Sequence, residues 1–257
     1  MATASELDGV RPRLLGMIAE ERITAVRIPR PEPAVIARFH ALTDLCSTVS
    51  DVLDELGVGA AVPAHDLAPI ADGQRICGPA ITLRYAPVGG SPGALYGRGA
   101  KPLLADRELY GVGEAGDVGV FDCGGIRNWS VLGGLSASWA QRLGIAGCIV
   151  DGGVRDVDSV RAMGFAVWSR GRTPITGRQR MEAVEINGTV RIGPAQVRPG
   201  DLVVADGTGV CVVPAEHIGT VIDRCEESER AESRVLALIA EGATARDVTA
   251  VLPADQW

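Results

Sequence analysis

The sequence predicts an α/β fold, and three patterns carry that expectation. From Gly116 onward, strand, Gly-containing turn and helix alternate, as parallel α/β units require. After Gly177 the chain breaks into short β segments, and one long helix then runs over residues 215–240. At 257 residues, the chain is long enough to bury a core without disulfides or a metal staple.

Taken in order, residues 1–32 read as an N-terminal extension and 33–257 as a single domain, with no internal repeat and no linker between 34 and 240. The extension holds one weak helical stretch, 14–26, followed by Pro29-Arg-Pro31-Glu-Pro33, which cannot continue a helix. Thr48-x-x-Asp51 reads as a cap ahead of Val52, Leu53 and Leu56, with Gly57 as the stop, so 47–56 is expected to be a short helix. Residues 75–86 alternate, with Ile81, Leu83 and Tyr85 on one side, like a half-buried strand, and 87–104 read as a Gly/Pro-rich loop. Then come strand 118–121, helix 136–143, strand 148–150, helix 156–163 and strand 165–168. The later β segments are 183–186, 190–192, 202–205 and 210–213.

Composition excludes several function classes. Lys and Arg number 25 against 32 Asp and Glu, a net charge of −7 with a pI near 5.1 and no basic run. A phosphate backbone needs a concentrated positive surface, so nucleic acid is not an expected ligand. No apolar run approaches the ~18 residues of a membrane span, and the first residues lack an apolar signal core. A cytoplasmic protein without membrane association is expected. The six cysteines (Cys46, Cys77, Cys123, Cys148, Cys211, Cys225) are spread singly among aliphatic neighbours and read as reduced core thiols. The three histidines (His40, His65, His217) lack metal-ligand spacing, which disfavours a His-based zinc site or a Ser-His-Asp triad.

Three glycine-containing strings are candidates for chemistry. Gly111-Val-Gly113-Glu-Ala-Gly116 matches the dinucleotide fingerprint, but Asp117 leads directly into a strand instead of a helix, so the pyrophosphate site is missing. Gly133-Gly134-Leu135-Ser136 sits at a strand-to-helix switch, where first-turn amides suit an anion, although taken alone the string reads more simply as a plain helix start capped by Ser136. Asp151-Gly-Gly-Val-Arg155-Asp156 follows the buried strand 148–150. Arg155 can grip a carboxylate with a two-point fork, and Asp156 can hold a hard cation that keeps most of its waters. The alternative is a solvated Arg155 beside an Asp156 that merely favours the helix dipole.

Taken together, Gly116-Asp-Val, Gly133-Gly-Leu, Asp151-Gly-Gly-Val-Arg-Asp156, Gly164-Phe-Ala-Val-Trp-Ser-Arg-Gly171, Pro199-Gly-Asp-Leu-Val-Val-Ala-Asp206 and Gly209-Val-Cys-Val-Val-Pro214 resemble the RraA-like family over about residues 43–248. That family includes 4-hydroxy-4-methyl-2-oxoglutarate and 4-carboxy-4-hydroxy-2-oxoadipate aldolases and the regulator of ribonuclease activity. The resemblance implies a swivelling β/β/α domain with a long C-terminal helix, homotrimers that pair into hexamers, and active sites between subunits. It further implies a lyase that needs Mg²⁺ or Mn²⁺, releases pyruvate from a 4-hydroxy-2-oxo dicarboxylic acid and often decarboxylates oxaloacetate. By the same likeness, Gly133, Gly134, Leu135 and Ser136 match the substrate-binding loop, Arg155 the carboxylate-binding arginine and Asp156 the metal-holding aspartate.

The last helix carries an apolar stripe of Ile218, Val221, Ile222, Cys225, Val235, Leu236 and Ile239, and Glu232 falls on it. Read by itself, Glu232 is a wet gap where the helix leaves the body. The resemblance instead implies a catalytic Glu232 that reaches a neighbouring subunit's site, with Glu229 as the fallback. One position departs from the family pattern: Gly134 stands where several of these aldolases carry an acid that helps move a proton. The alternative function is a non-catalytic, ring-shaped, protein-binding regulator. A methyltransferase is rejected for want of an S-adenosylmethionine loop.

Overall fold

In the computed structural model, which describes residues 1–253, the chain opens with α1 (Ala4–Asp8), α2 (Pro33–Ala41), α3 (Leu45–Leu56), β1 (Ala60–Pro63), β2 (Ala68–Pro69) and β3 (Ile76–Pro87). It continues through α4 (Pro92–Gly97), α5 (Asp106–Val112), β4 (Val118–Asp122), β5 (Ser130–Leu132), α6 (Gly134–Arg142), β6 (Gly147–Val154), α7 (Val157–Ala162) and β7 (Val167–Arg172). The last part comprises β8 (Met181–Ile186), β9 (Val190–Ile192), β10 (Ala195–Val197), β11 (Leu202–Asp206), β12 (Gly209–Val213), α8 (Ile218–Ala240) and α9 (Ala245–Thr249). The final four residues of the 33–257 domain expectation lie outside the described residues.

Alternation along the strands decides how the sheet wraps. The order is β1-β12-β11-β3-β4-β6-β7-β2, with β5 beside β6 and β8 beside β3; β3, β4, β6 and β7 run parallel, and β5 is parallel to β6. Val62, Ile76, Val118, Val120, Ile149, Trp168, Val203 and Val212 all enter one buried cluster, so successive strands turn the same face toward a common interior. The sheet therefore curls into a nearly closed barrel, and the β9-β10 hairpin plugs it with Val190, Ile192, Ala195 and Val197. Trp168 is fully buried there, its Nε1 donating to the Asp206 carbonyl at 2.9 Å, so its bulk enters the core without an orphaned donor.

The outward-facing residues make two further cores. Ile81, Leu83, Phe121, Cys148 and Val150 meet α5, α6 and α7 through residues such as Leu109, Tyr110, Ala137, Ala140 and Val160. Leu202, Val204, Cys211 and Val213 meet α2, α3 and α8 through Phe39, Val49, Leu53, Val221 and Ile222. A long helix on one flank and a parallel α/β layer on the other follow from which faces of the strands are apolar. All six cysteines are free and buried, as their aliphatic surroundings indicate.

Several local expectations are corrected. Residues 14–26 are not helical, holding only a single 3₁₀ turn at Glu20–Arg22, because this segment is spent on contacts with the body, where Ile23 bridges Ile186; just beyond it, the Arg30 guanidinium makes a two-point pair with Asp117 at 2.8 and 3.0 Å. Leu7, Val10 and Ile23 are buried in the same core as α5. Helix α3 starts earlier than Thr48, whose hydroxyl donates back to the Asp44 carbonyl inside the helix, although Gly57 does stop it in the left-handed region at φ 64°. Strand β3 is buried on both faces because it lies in the middle of the sheet, and α4 occupies part of the stretch 87–104 expected to be a Gly/Pro-rich loop.

Candidate active site between two strand ends

Parallel pairing of β5 with β6 sets Leu132 opposite Val154, so the chain leaves both strands at one edge of the sheet. Gly133 follows one strand and Arg155 the other, which places the two strand-to-helix turns side by side, where ligands of α/β sheets bind. The Arg155 N–H donates to the Leu132 carbonyl at 3.0 Å, and the Gly134 N–H donates to Asp156 Oδ2 at 3.0 Å. Arg155 Nε stands 3.4 Å from the same oxygen. Asp156 itself is in the left-handed region, φ 54° and ψ 35°, an uncommon conformation for a residue with a side chain.

Space, not backbone conformation, demands glycine at position 133. Its φ of −149° is ordinary extended backbone, but a Cβ there would lie 2.6 Å from Asp156 Oδ2 and 3.0 Å from Arg155 Cγ. At Gly134 a Cβ would meet nothing closer than 3.6 Å, so that position is open to a side chain. Gly133, and not Ser136, is the N-cap of α6, and the Ser136 hydroxyl pairs with the Tyr110 hydroxyl at 3.1 Å.

These turns form one wall of a cleft of about 150 Å³, a volume that suits a small acid and not a nucleotide. The same cleft is also lined by Asp106 and Arg107 from α5, Arg178 from the loop before β8, and Met17 from the N-terminal segment. Met17 is held there because Glu108 Oε1 accepts the N–H groups of Leu15 at 3.1 Å and Met17 at 2.7 Å. Burial pushes the Asp106 carboxyl above its usual range, against the opposing pull of the Ser136 hydroxyl and the Arg107 charge.

Of the residues expected from the sequence, Gly133, Leu135, Ser136, Arg155 and Asp156 all line this cleft, and Gly134 touches it through its bond to Asp156. That bond spends the Gly134 amide, leaving the Leu135 and Ser136 amides as first-turn donors without an intrahelical acceptor. Leu135 is 81% exposed at the mouth. Glu232 is not among the lining residues; it sits exposed on α8, which packs on α2 and α3, with only the Ser228 hydroxyl 3.4 Å away. The sequence picture of a carboxylate interrupting a buried stripe is corrected, since Leu236 and Ile239 are exposed beside it. Glu229 accepts the Thr43 N–H at 2.6 Å instead.

A second correction concerns Asp151, Gly152 and Gly153, which belong to β6 and not to a turn. A Cβ at Gly153 would lie 2.6 Å from the Trp129 carbonyl, so this glycine lets the 126–130 segment press against the strand. Asp151 is paired with Arg170 away from the cleft. Asp106, Arg107 and Arg178 are the charged cleft residues that sequence reasoning missed. The readable signal was the acidic first turn of α5, Asp106-Arg-Glu108, ahead of apolar Leu109, Tyr110 and Val112.

Among the described residues, no group of three or more His, Cys, Asp or Glu side chains converges as a metal cage. The donor chemistry nonetheless fits a hard cation that takes one carboxylate and completes its shell with water and substrate: Asp156 Oδ2 is fixed by Gly134 and Arg155, while no described residue bonds Oδ1.

The RraA-like family model, described as Aldolase/RraA, matches residues 46–212. The chain is similar to "Putative 4-hydroxy-4-methyl-2-oxoglutarate aldolase" of Halalkalibacterium halodurans, 29% identical over 76% of this chain and 83% of that protein. It is also 29% identical to DlpA of Legionella pneumophila over 76% of this chain, but it spans only 30% of that longer protein. Among solved structures, an uncharacterised protein from Pseudomonas syringae is similar at TM-score 0.71 and 26% identity, covering 86% of this chain and 99% of that one. RraAS2 of Streptomyces coelicolor, described as an unusual member of the RNase ES inhibitor RraA family, is similar at TM-score 0.68 and 27% identity, covering 80% and 98%. No helix among the described residues is long and apolar enough to cross a membrane.

Proposed function

Because the chain belongs to the RraA-like family, we propose that it is a divalent-metal-dependent carbon–carbon lyase that cleaves a 4-hydroxy-2-oxo dicarboxylic acid to pyruvate, with oxaloacetate decarboxylation as a related activity. The observation that carries this reading is the joined turn in which Gly134, Arg155 and Asp156 share one carboxylate oxygen at the edge of a small, arginine-lined cleft. The name of the Halalkalibacterium relative supports the same chemistry.

In this reading Arg155 holds the substrate's 1-carboxylate through its planar fork, and the Leu135 and Ser136 amides face the negative charge that develops as the bond to C4 breaks. Asp156 would hold Mg²⁺ or Mn²⁺, and such an ion would supply Lewis acidity toward the substrate. Following the family resemblance, Glu232 of a neighbouring copy in a trimer or hexamer is the base that takes up the C4 hydroxyl proton as the C3–C4 bond breaks.

The test is pyruvate release from a panel of 4-hydroxy-2-oxo acids and oxaloacetate, with and without added Mg²⁺ or Mn²⁺. Turnover that EDTA abolishes and metal restores is expected. Absence of turnover across the panel, with a protein partner captured instead, would favour the non-catalytic regulator.

A further inference from the structure

The cleft holds more positive charge than the substrate's reacting end uses. Arg107, Arg155 and Arg178 all line it, against two carboxylates, Asp106 and Asp156. Asp156 is committed to Arg155 and the Gly134 amide, and Asp106 faces the Ser136 hydroxyl. Among the described residues, neither the Arg107 nor the Arg178 guanidinium has a hydrogen bond or an ion pair; moreover, Arg107 Nε is buried from solvent with no partner at all. A buried guanidinium nitrogen left unpaired costs free energy, and such a donor in a cleft is explained by a ligand acceptor that completes it. Arginine suits one acceptor in particular, a planar carboxylate taken by two parallel N–H donors.

We infer that Arg107, with Arg178 beside it on the same cleft, forms a second anion subsite that binds the distal carboxylate of the substrate, so that this chain selects 2-oxo dicarboxylates over 2-oxo monocarboxylates. The inference rests on the proposed lyase reading, in which Arg155 takes the carboxylate next to the 2-oxo group. Arg107 follows Asp106 on α5, and α5 is tied to the N-terminal segment through Glu108. Arg107 and Arg178 thus share one cleft with the metal-holding turn, so a substrate gripped at one end by Arg155 can present its other carboxylate to them. Arg172 provides an internal control: it too lacks a side-chain partner among the described residues, but it borders a separate open groove on the other side of Arg155 and Asp156.

The experiment compares binding of pyruvate and 2-oxoglutarate, which share the 2-oxo carboxylate and differ in the distal one, by titration calorimetry in the presence of Mg²⁺. The unmodified protein should prefer 2-oxoglutarate by roughly 10- to 150-fold, the range of a charge-assisted pair. Arg107→Met should erase most of that preference while leaving pyruvate affinity unchanged, which also shows that the variant is folded; Arg178→Met should reduce it in part, and Arg107→Lys should restore only some of it. Equal affinity for the two acids in the unmodified protein, an equal loss of both in Arg107→Met, or the same loss of preference in Arg172→Met would overturn the subsite while leaving the lyase reading standing. If the unmodified protein binds neither acid, the lyase reading itself fails and the subsite falls with it.

Discussion

Asp156 accepts the Gly134 N–H at 3.0 Å while its own backbone is held in the left-handed region at φ 54°. A non-glycine residue in that region costs of order 1 kcal/mol and persists only where the surroundings fix it. The residue therefore trades backbone comfort for the placement of its carboxylate. This separates two substitutions that would otherwise look alike. Asp156→Ala should lose metal-dependent turnover and be destabilised; Asp156→Gly should lose turnover equally but recover about 1–2 kcal/mol relative to alanine, because glycine takes the left-handed conformation freely. Urea unfolding alongside the pyruvate assay checks both, and wild-type turnover in either variant at saturating Mg²⁺ would remove Asp156 from the metal site.

The two neighbouring glycines should behave oppositely. Gly133→Ala puts a methyl 2.6 Å from Asp156 Oδ2, so either Asp156 or Arg155 must move, at a cost of about 1–3 kcal/mol in stability and a large loss of catalytic efficiency. Gly134→Ala meets only ordinary contacts beyond 3.6 Å and enters the first turn of a helix, so it should fold as well as or better than the parent and keep its activity. Comparable losses in both variants would show that the shared oxygen does not control the site.

Arg155→Lys keeps the charge but not the fork. If two-point contact to a carboxylate is its role, kcat/KM should fall by roughly 10- to 150-fold, the equivalent of about 1.5–3 kcal/mol. Steady-state kinetics at fixed metal concentration measure this, and an unchanged value would leave Arg155 as a solvated neighbour of Asp156.

The existence and order of the later strands were legible because they follow apolar periodicity, and β9 spans the predicted residues 190–192; Gly57 also ends α3 as its position announces. The pairing partners were not legible, since nothing in Leu132 or Val154 specifies their register, and it is this register that brings Gly133 to Asp156. The arginines on α5 and in the 173–180 loop were hidden for a related reason. Isolated surface arginines look alike in sequence, and only the fold shows that Arg107 and Arg178 share a cleft with Arg155. The position of Glu232 on the helix stripe, and its reading as a wet gap, were legible; the exposure of Leu236 and Ile239 was not, because the stripe outruns the part of the body that α8 covers.

Asp106 supplies a pH signature. Burial raises its carboxyl in the folded chain above the roughly 3.9 of an unfolded aspartate, so folding favours the protonated form. Its contribution is therefore most favourable at pH below the unfolded value and is lost as pH rises through that value toward the folded one. Asp106→Asn removes the titration. The stability of the parent minus that of Asp106→Asn should decline from pH 3 upward and then level off once the folded carboxyl is ionised. A difference that instead grows with pH would mean that the Ser136 hydroxyl and the Arg107 charge outweigh burial.

Glu232 tests the assembly together with the mechanism. It is exposed on α8, and Leu236, 65% exposed, and Ile239, 52% exposed, stand next to it, so this end of the helix offers apolar surface that the described residues leave uncovered. If a second copy covers that surface and receives Glu232 at the cleft of Gly133, Arg155 and Asp156, Glu232→Gln should preserve folding and metal binding but slow the chemical step, because an amide cannot take up the proton. Mixing inactive Glu232→Gln chains with inactive Arg155→Ala chains, after verified subunit exchange, should then return part of the activity, since some shared interfaces pair an intact arginine with an intact glutamate. A residue acting within its own chain cannot be rescued in this way, whatever the oligomer. Full activity of Glu232→Gln would instead make the carboxylate a solvated part of the helix surface, and Glu229, now engaged with the Thr43 amide, would have to leave that bond to serve as the proton carrier.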